Sequence, residues 1–118
     1  MKIGFIGLGN VGAKLAGSLL RNGFELTVRD VEQNLTDQFK SSGAKVANSG
    51  KELAEQVDLI ITSLPSLKVS SEVMEAEDGV LQGLSENKIW LEMSTTDEAE
   101  VKRIGEKVLA KNALPLNG

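Results

Sequence analysis

Short apolar runs alternate along the chain with stretches of helical period. Ile3-Gly4-Phe5-Ile6 is the first run and predicts a strand over about residues 2–7. Val11, Leu15 and Leu19 then stack on one helical face with Ala16 and Leu20 beside them, which predicts a helix over about 10–22. Gly23 stands where a helix-ending glycine belongs. Glu25–Asp30 reads as the second strand. Residues 32–42 form a polar helix anchored by Leu35 and Phe39, and Gly43 ends it. Ala44–Val46 is a short strand. Ser49 with Glu52 three residues on is a capping box for a short helix that buries Leu53 and Ala54.

Val57–Leu64 is nearly continuous apolar and β-branched, the mark of a strand buried on both faces. Pro65 stops it. Residues 67–75 carry Val69 and Val73 at helical spacing, and Gly79–Gly83 is a turn or short helix. Ile89–Met93 is another strand. It leads into Ser94-Thr95-Thr96-Asp97, which caps a helix over about 97–111 with Val101, Ile104 and Val108 inside. Residues 113–118 read as a short tail. Strand and helix alternate five times, so right-handed crossovers dictate an α/β fold. It is a doubly wound, mainly parallel sheet of Rossmann type with helices on both faces, one domain over residues 1–112.

The composition narrows the function. The chain has 118 residues, 41% of them hydrophobic and 25% charged, as in ordinary globular domains. No apolar stretch is long enough for a membrane span. With no cysteine there is no disulfide or thiolate metal site, and the expected compartment is the reducing cytoplasm. With no histidine, any His-based triad or zinc site is excluded, and no metal site is expected. The net charge of −4 argues against a nucleic-acid partner.

The candidate chemistry lies where the first strand meets the first helix. Gly7-Leu8-Gly9-Asn10-Val11-Gly12 is a G-x-G-x-x-G turn. Gly7 permits the tight turn, Gly9 lets a pyrophosphate approach the backbone, and Gly12 lets the helix pack closely on the strand. The free N–H groups and positive dipole end of that helix face the phosphates. Asp30, 18 residues after Gly12, ends the second strand where a carboxylate accepts from an adenosine ribose. It would repel a 2′-phosphate, so NAD is favoured over NADP. Arg29, before the acid, reads as an exposed side chain on the strand's outer face. Leu64-Pro65-Ser66 follow the buried strand and so belong at the crevice beyond the carboxyl ends of the strands.

The segments GFIGLGNVG at 4–12, Asp30, DLIITSLPS at 58–66, GVLQGL at 79–84 and LEMSTTD at 91–97 come in an order and spacing that resembles the β-hydroxyacid dehydrogenases. That family includes 3-hydroxyisobutyrate dehydrogenase, with 6-phosphogluconate dehydrogenase more distant. The resemblance covers about residues 2–112. It implies an NAD(P)-binding domain of an enzyme that interconverts a small β-hydroxy acid and its semialdehyde. It further implies that residues 7–12 hold the pyrophosphate, Asp30 the ribose, and Leu64 and Pro65 the path from adenosine to nicotinamide. Ser94 is implied to contact the substrate carboxylate and Thr95 to lie by the nicotinamide. Glu92 stands where the family usually has Asp, and Glu98 where many members have Pro.

The family continues into a long all-helical domain that supplies a catalytic lysine and usually drives dimerisation. No lysine in these 118 residues matches that role, so no catalytic residue is assigned. The expectation is nucleotide binding without turnover by this stretch alone. A non-catalytic nucleotide-binding or interaction module shares the same residues and stands as the second reading; a domain for FAD or SAM is the third. Ile89–Met93, or whichever strand lies outermost, is expected to leave an open edge that favours a homodimer or swapped assembly.

Overall fold

The computed structural model describes residues 1–93 and 97–117. In chain order the elements are β1 (Lys2–Ile6), α1 (Asn10–Arg21), β2 (Glu25–Arg29), α2 (Gln33–Ser41), β3 (Lys45–Val46) and α3 (Gly50–Gln56). There follow β4 (Leu59–Thr62), α4 (Leu67–Glu75), α5 (Val80–Gly83), β5 (Ile89–Glu92), α6 (Glu98–Leu109) and β6 (Leu114–Asn117). The strands form one sheet in the order β3-β2-β1-β4-β5-β6, and every pairing is parallel. This is the doubly wound Rossmann-type arrangement that the alternating pattern predicts.

The apolar runs dictate two cores, one on each face. Phe5, Leu8, Ala16, Leu26 and Val28 pack on the face covered by α1 and α2, with Leu15, Leu19, Leu35 and Phe39 against them. Ile60, Leu53, Ala54, Met74, Trp90, Ile104 and Val108 fill the other. The nearly unbroken apolar stretch of β4 is explained by its central place, since Ile60 and Ile61 supply one face each. α3 lies close against β1: a Cβ on Gly4 would meet the Leu53 side chain at 2.3 Å.

The chain runs outward from β1 through β2 to β3, then crosses back to β4 on the other side of β1. The strand order therefore reverses between β1 and β4, and a crevice opens beyond their carboxyl ends.

One expectation is overturned. Leu114–Asn117, read as a tail, is a sixth strand, so β5 is not outermost. The register pairs Ile89 with Leu114 and Leu91 with Leu116, and Leu114 N–H donates to Lys88 O at 2.8 Å. Alternation then turns the backbone of Pro115 to the open side. A proline costs an edge strand nothing there and leaves it one donor short, which blunts the edge for further pairing. The open edge on this side of the sheet therefore belongs to β6 and not to β5.

Candidate functional site

The crevice at the switch between β1 and β4 has a volume of about 950 Å³. Its floor is the glycine turn. Gly7 sits at φ +102°, and a Cβ there would lie 2.1 Å from Ser63 O. A Cβ on Gly12 would lie 2.0 Å from Gly7 O. Both positions admit glycine because backbone passes where a side chain would be. Gly9 is different, for nothing lies within 4 Å of its missing Cβ. That open space faces the crevice, which Gly7, Gly9, Asn10, Val11 and Gly12 all line.

α1 begins here with Gly9 as its N-cap and no side chain capping it. There is no acidic residue in its first turn. Its first N–H groups are left for a ligand, and the dipole favours an anion at that end.

Asp30 stands across the turn on the same lining. Its Oδ2 accepts from Leu8 N–H at 2.7 Å, and its Oδ1 accepts from Glu32 N–H at 2.9 Å. The carboxylate is therefore fixed in place, and each oxygen keeps lone-pair capacity for a further donor. Arg29 also lines the crevice, half-buried. This corrects the expectation of an outward-facing side chain. Gly7 N–H donates to Arg29 O at 3.1 Å, which keeps the end of β2 beside the turn.

The opposite wall comes from the end of β4 and from α4: Ser63, Leu64, Pro65, Val69 and Val73. Val31, Leu35, Ala76 and Gly79 extend the apolar surface, and Glu32, Glu72 and Asp78 give it acidic edges. Val31 is 88% exposed, an open apolar surface beside Asp30. Met93 lines the crevice from the end of β5.

Of the residues singled out from sequence, Gly7, Gly9, Asn10, Val11, Gly12, Asp30, Leu64 and Pro65 converge on this one crevice. Leu8 and Ser66 lie off its lining. Leu8 is 1% exposed, its side chain in the core and its N–H held by Asp30. Ser66 caps α4, its Oγ accepting from Val69 N–H at 3.2 Å. Ser94 and Thr95 lie outside the described residues. Among the parts missed from sequence are Arg29, Glu32, Leu35, Val69, Val73 and Met93. The four-residue spacing of Val69 and Val73 was the available signal, because it marks the inward face of α4.

Behind this wall α4 is tied to α6. Arg103 donates to Glu75 at 2.7 and 2.9 Å and to Glu100 at 3.0 Å, and Lys107 also pairs with Glu75. Ser71 Oγ donates to Glu100 Oε1 at 2.9 Å. The Arg103 guanidinium, with Lys107 beside it, holds the Glu75 carboxyl down at about 2.

The family described as the NAD binding domain of 6-phosphogluconate dehydrogenase matches residues 2–117. The chain belongs to this family. As a domain of that kind it is an NAD(P)-binding domain. It is 37% identical over 106 residues to the mitochondrial 3-hydroxyisobutyrate dehydrogenase of Rattus norvegicus, covering 90% of this chain and 32% of that protein. An uncharacterized oxidoreductase, YfjR, of Bacillus subtilis (strain 168) is 41% identical over 95 residues, covering 80% of this chain and 33% of the other. The chain thus spans about a third of the length of these relatives.

The fold of the NAD-binding domain recurs in 3-hydroxyisobutyrate dehydrogenase from Mycobacterium tuberculosis, solved with L-serine. The TM-score is 0.89 and the identity 23%, over 98% of this chain and 39% of that one. An imine reductase from Myxococcus stipitatus in complex with NADP+ aligns with a TM-score of 0.89 at 17% identity, over 99% of this chain and 40% of that one. Among the described residues no helix is long and apolar enough to cross a membrane. Nor do three or more Asp, Glu, His or Cys side chains gather there as a metal site.

Proposed function

We propose that this domain prefers NAD to NADP and serves an oxidoreductase that moves a hydride between NAD and a small β-hydroxy acid of the 3-hydroxyisobutyrate class. The observation that carries the cofactor preference is Asp30, fixed by two backbone N–H groups at the rim where an adenosine ribose reaches the end of β2. Glu32 adds a second carboxylate to that rim, against one guanidinium from Arg29. A 2′-phosphate dianion brought there meets two like charges, whereas a 2′-hydroxyl donates to one of them. The substrate class is supported by the likeness to the 3-hydroxyisobutyrate dehydrogenases and by the LEMSTTD segment at 91–97.

In this reading, the crevice residues bind and orient the cofactor while Ser94 and Thr95 meet the substrate and nicotinamide. The nicotinamide itself supplies the hydride chemistry. Proton transfer to and from the hydroxyl falls to a group outside these 118 residues. The 118-residue domain then binds nucleotide with no turnover of its own. Small molecules are its partners, with no nucleic acid among them, and a reducing compartment such as the cytoplasm suits a chain without cysteine.

Calorimetric titration of the 118-residue chain with NADH and NADPH tests the preference. NADH is expected to bind about tenfold more tightly, the equivalent of one close like-charge contact. Equal or inverted affinities would overturn it. A nucleotide-binding module without catalysis remains the second reading, favoured by the same crevice; clear NAD-dependent dehydrogenation of 3-hydroxyisobutyrate by the protein isolated from its source cells would remove it.

A further inference from the structure

Glu92 ends β5 and is fully buried, 0% exposed. A carboxylate in that setting must be held by donors, since its desolvation is costly. One of its oxygens, Oε2, accepts from two hydroxyls: Thr62 Oγ1 at 3.0 Å and Ser70 Oγ. Thr62 is the last residue of β4, directly opposite Glu92 in the sheet. Ser70 lies in the first turns of α4. Between these two anchors the chain passes through Ser63, Leu64, Pro65 and Val69, all of them on the crevice lining. A single buried oxygen therefore closes the segment from Thr62 to Ser70 into a loop pinned at both ends.

We infer that Glu92 is a positioning residue for the nucleotide, setting the wall formed by residues 63–69 against the cofactor without touching it. The inference rests on the crevice being the nucleotide site. Preorganisation is the physical reason. A wall already fixed loses little freedom when the ligand arrives, whereas an unpinned one must be ordered at the expense of affinity. The same residue also governs the other strand end. Met93 N–H donates to Thr62 O at 2.9 Å, so the pin that holds β4 also holds the point where β5 enters the crevice.

The pin carries its own reporter. Trp90, the chain's one tryptophan, donates its indole N–H to Thr62 Oγ1 at 3.0 Å. Thr62 in turn donates to Glu92. A change at the pin thus reaches the indole through one hydroxyl.

The test compares wild type with Ser70→Ala, which releases one end of the loop, and with Glu92→Leu and Glu92→Gln, read by NADH titration and by Trp90 emission. Ser70→Ala is expected to stay folded, to weaken NADH binding about fivefold and to reduce the emission change on binding. Glu92→Leu is expected to lose more of both, and Glu92→Gln, which keeps an acceptor oxygen, to recover much of the loss. Should Glu92→Leu fail to fold, Ser70→Ala alone decides. Wild-type affinity and emission response in a folded Ser70→Ala would overturn the inference and leave the nucleotide site standing. Failure of the wild type itself to bind NADH or NADPH would overturn both.

Discussion

Leu8 N–H donates to Asp30 Oδ2 at 2.7 Å, across 22 residues of chain. The acid at the end of β2 thus grips the glycine turn as well as facing the crevice. Its other oxygen accepts from Glu32 N–H, so a residue read from sequence as a ligand contact is also a structural brace. Asp30→Asn separates these demands. An amide offers one acceptor oxygen, so its NH2 is forced against one of the two N–H donors. We expect a loss of about 1–3 kcal/mol in stability together with weaker NADH binding. Urea unfolding and calorimetry on the same preparation check both, and an unchanged midpoint would show that the brace carries no weight.

Gly7→Ala and Gly12→Ala are expected to fail as folds before they fail as binding sites. At Gly7 the new Cβ meets Ser63 O and the φ of +102° is strained for any other residue. At Gly12 it meets Gly7 O at 2.0 Å. Since backbone is the obstacle in both, the cost should exceed about 2 kcal/mol. Thermal unfolding shows this as a clear fall in Tm; a change within a degree of wild type would contradict the packing described here.

The tie between α4 and α6 predicts an acid response. Glu75 has a carboxyl held at about 2 against an ordinary 4.5. A depressed carboxylate contributes stability that is complete above the ordinary value and is lost as pH falls toward the folded one. The gap in Tm between wild type and Arg103→Met should therefore narrow as pH drops from 4.5 toward 2. The effect should be small, because Arg103 is exposed, and high salt should shrink it further. A gap that widens on acidification would reverse the sign of the argument.

The sequence carried most of this fold because local signals and tertiary demands agree. The 3.6-residue period of α1, the capping serine of α3 and the unbroken apolar stretch of β4 each match what the sheet requires of them. β6 escaped notice because Leu114-Pro115-Leu116-Asn117 has neither length nor clean alternation, and proline ordinarily argues against a strand. Only the edge position, with the Pro115 backbone turned outward, makes it acceptable. Arg29 was misplaced for a related reason. Alternation says which face a strand residue takes, but at a strand's end the crevice makes the outside a lining. Glu92 was legible as an acid closing an apolar strand, Ile-Trp-Leu-Glu. Its partners Thr62 and Ser70 lie 30 and 22 residues away, beyond any local pattern.

The central claim is that an anion of the nucleotide lies against the backbone at the start of α1, and Gly9→Ala tests it most directly. Gly9 is in extended backbone at φ −67°, and nothing lies within 4 Å of its missing Cβ, so alanine fits without disturbing the fold. The variant should unfold at the wild-type temperature yet bind NADH at least tenfold more weakly, a loss of about 1.4 kcal/mol or more. A Gly9→Ala chain that takes up NADH as tightly as wild type would contradict the account.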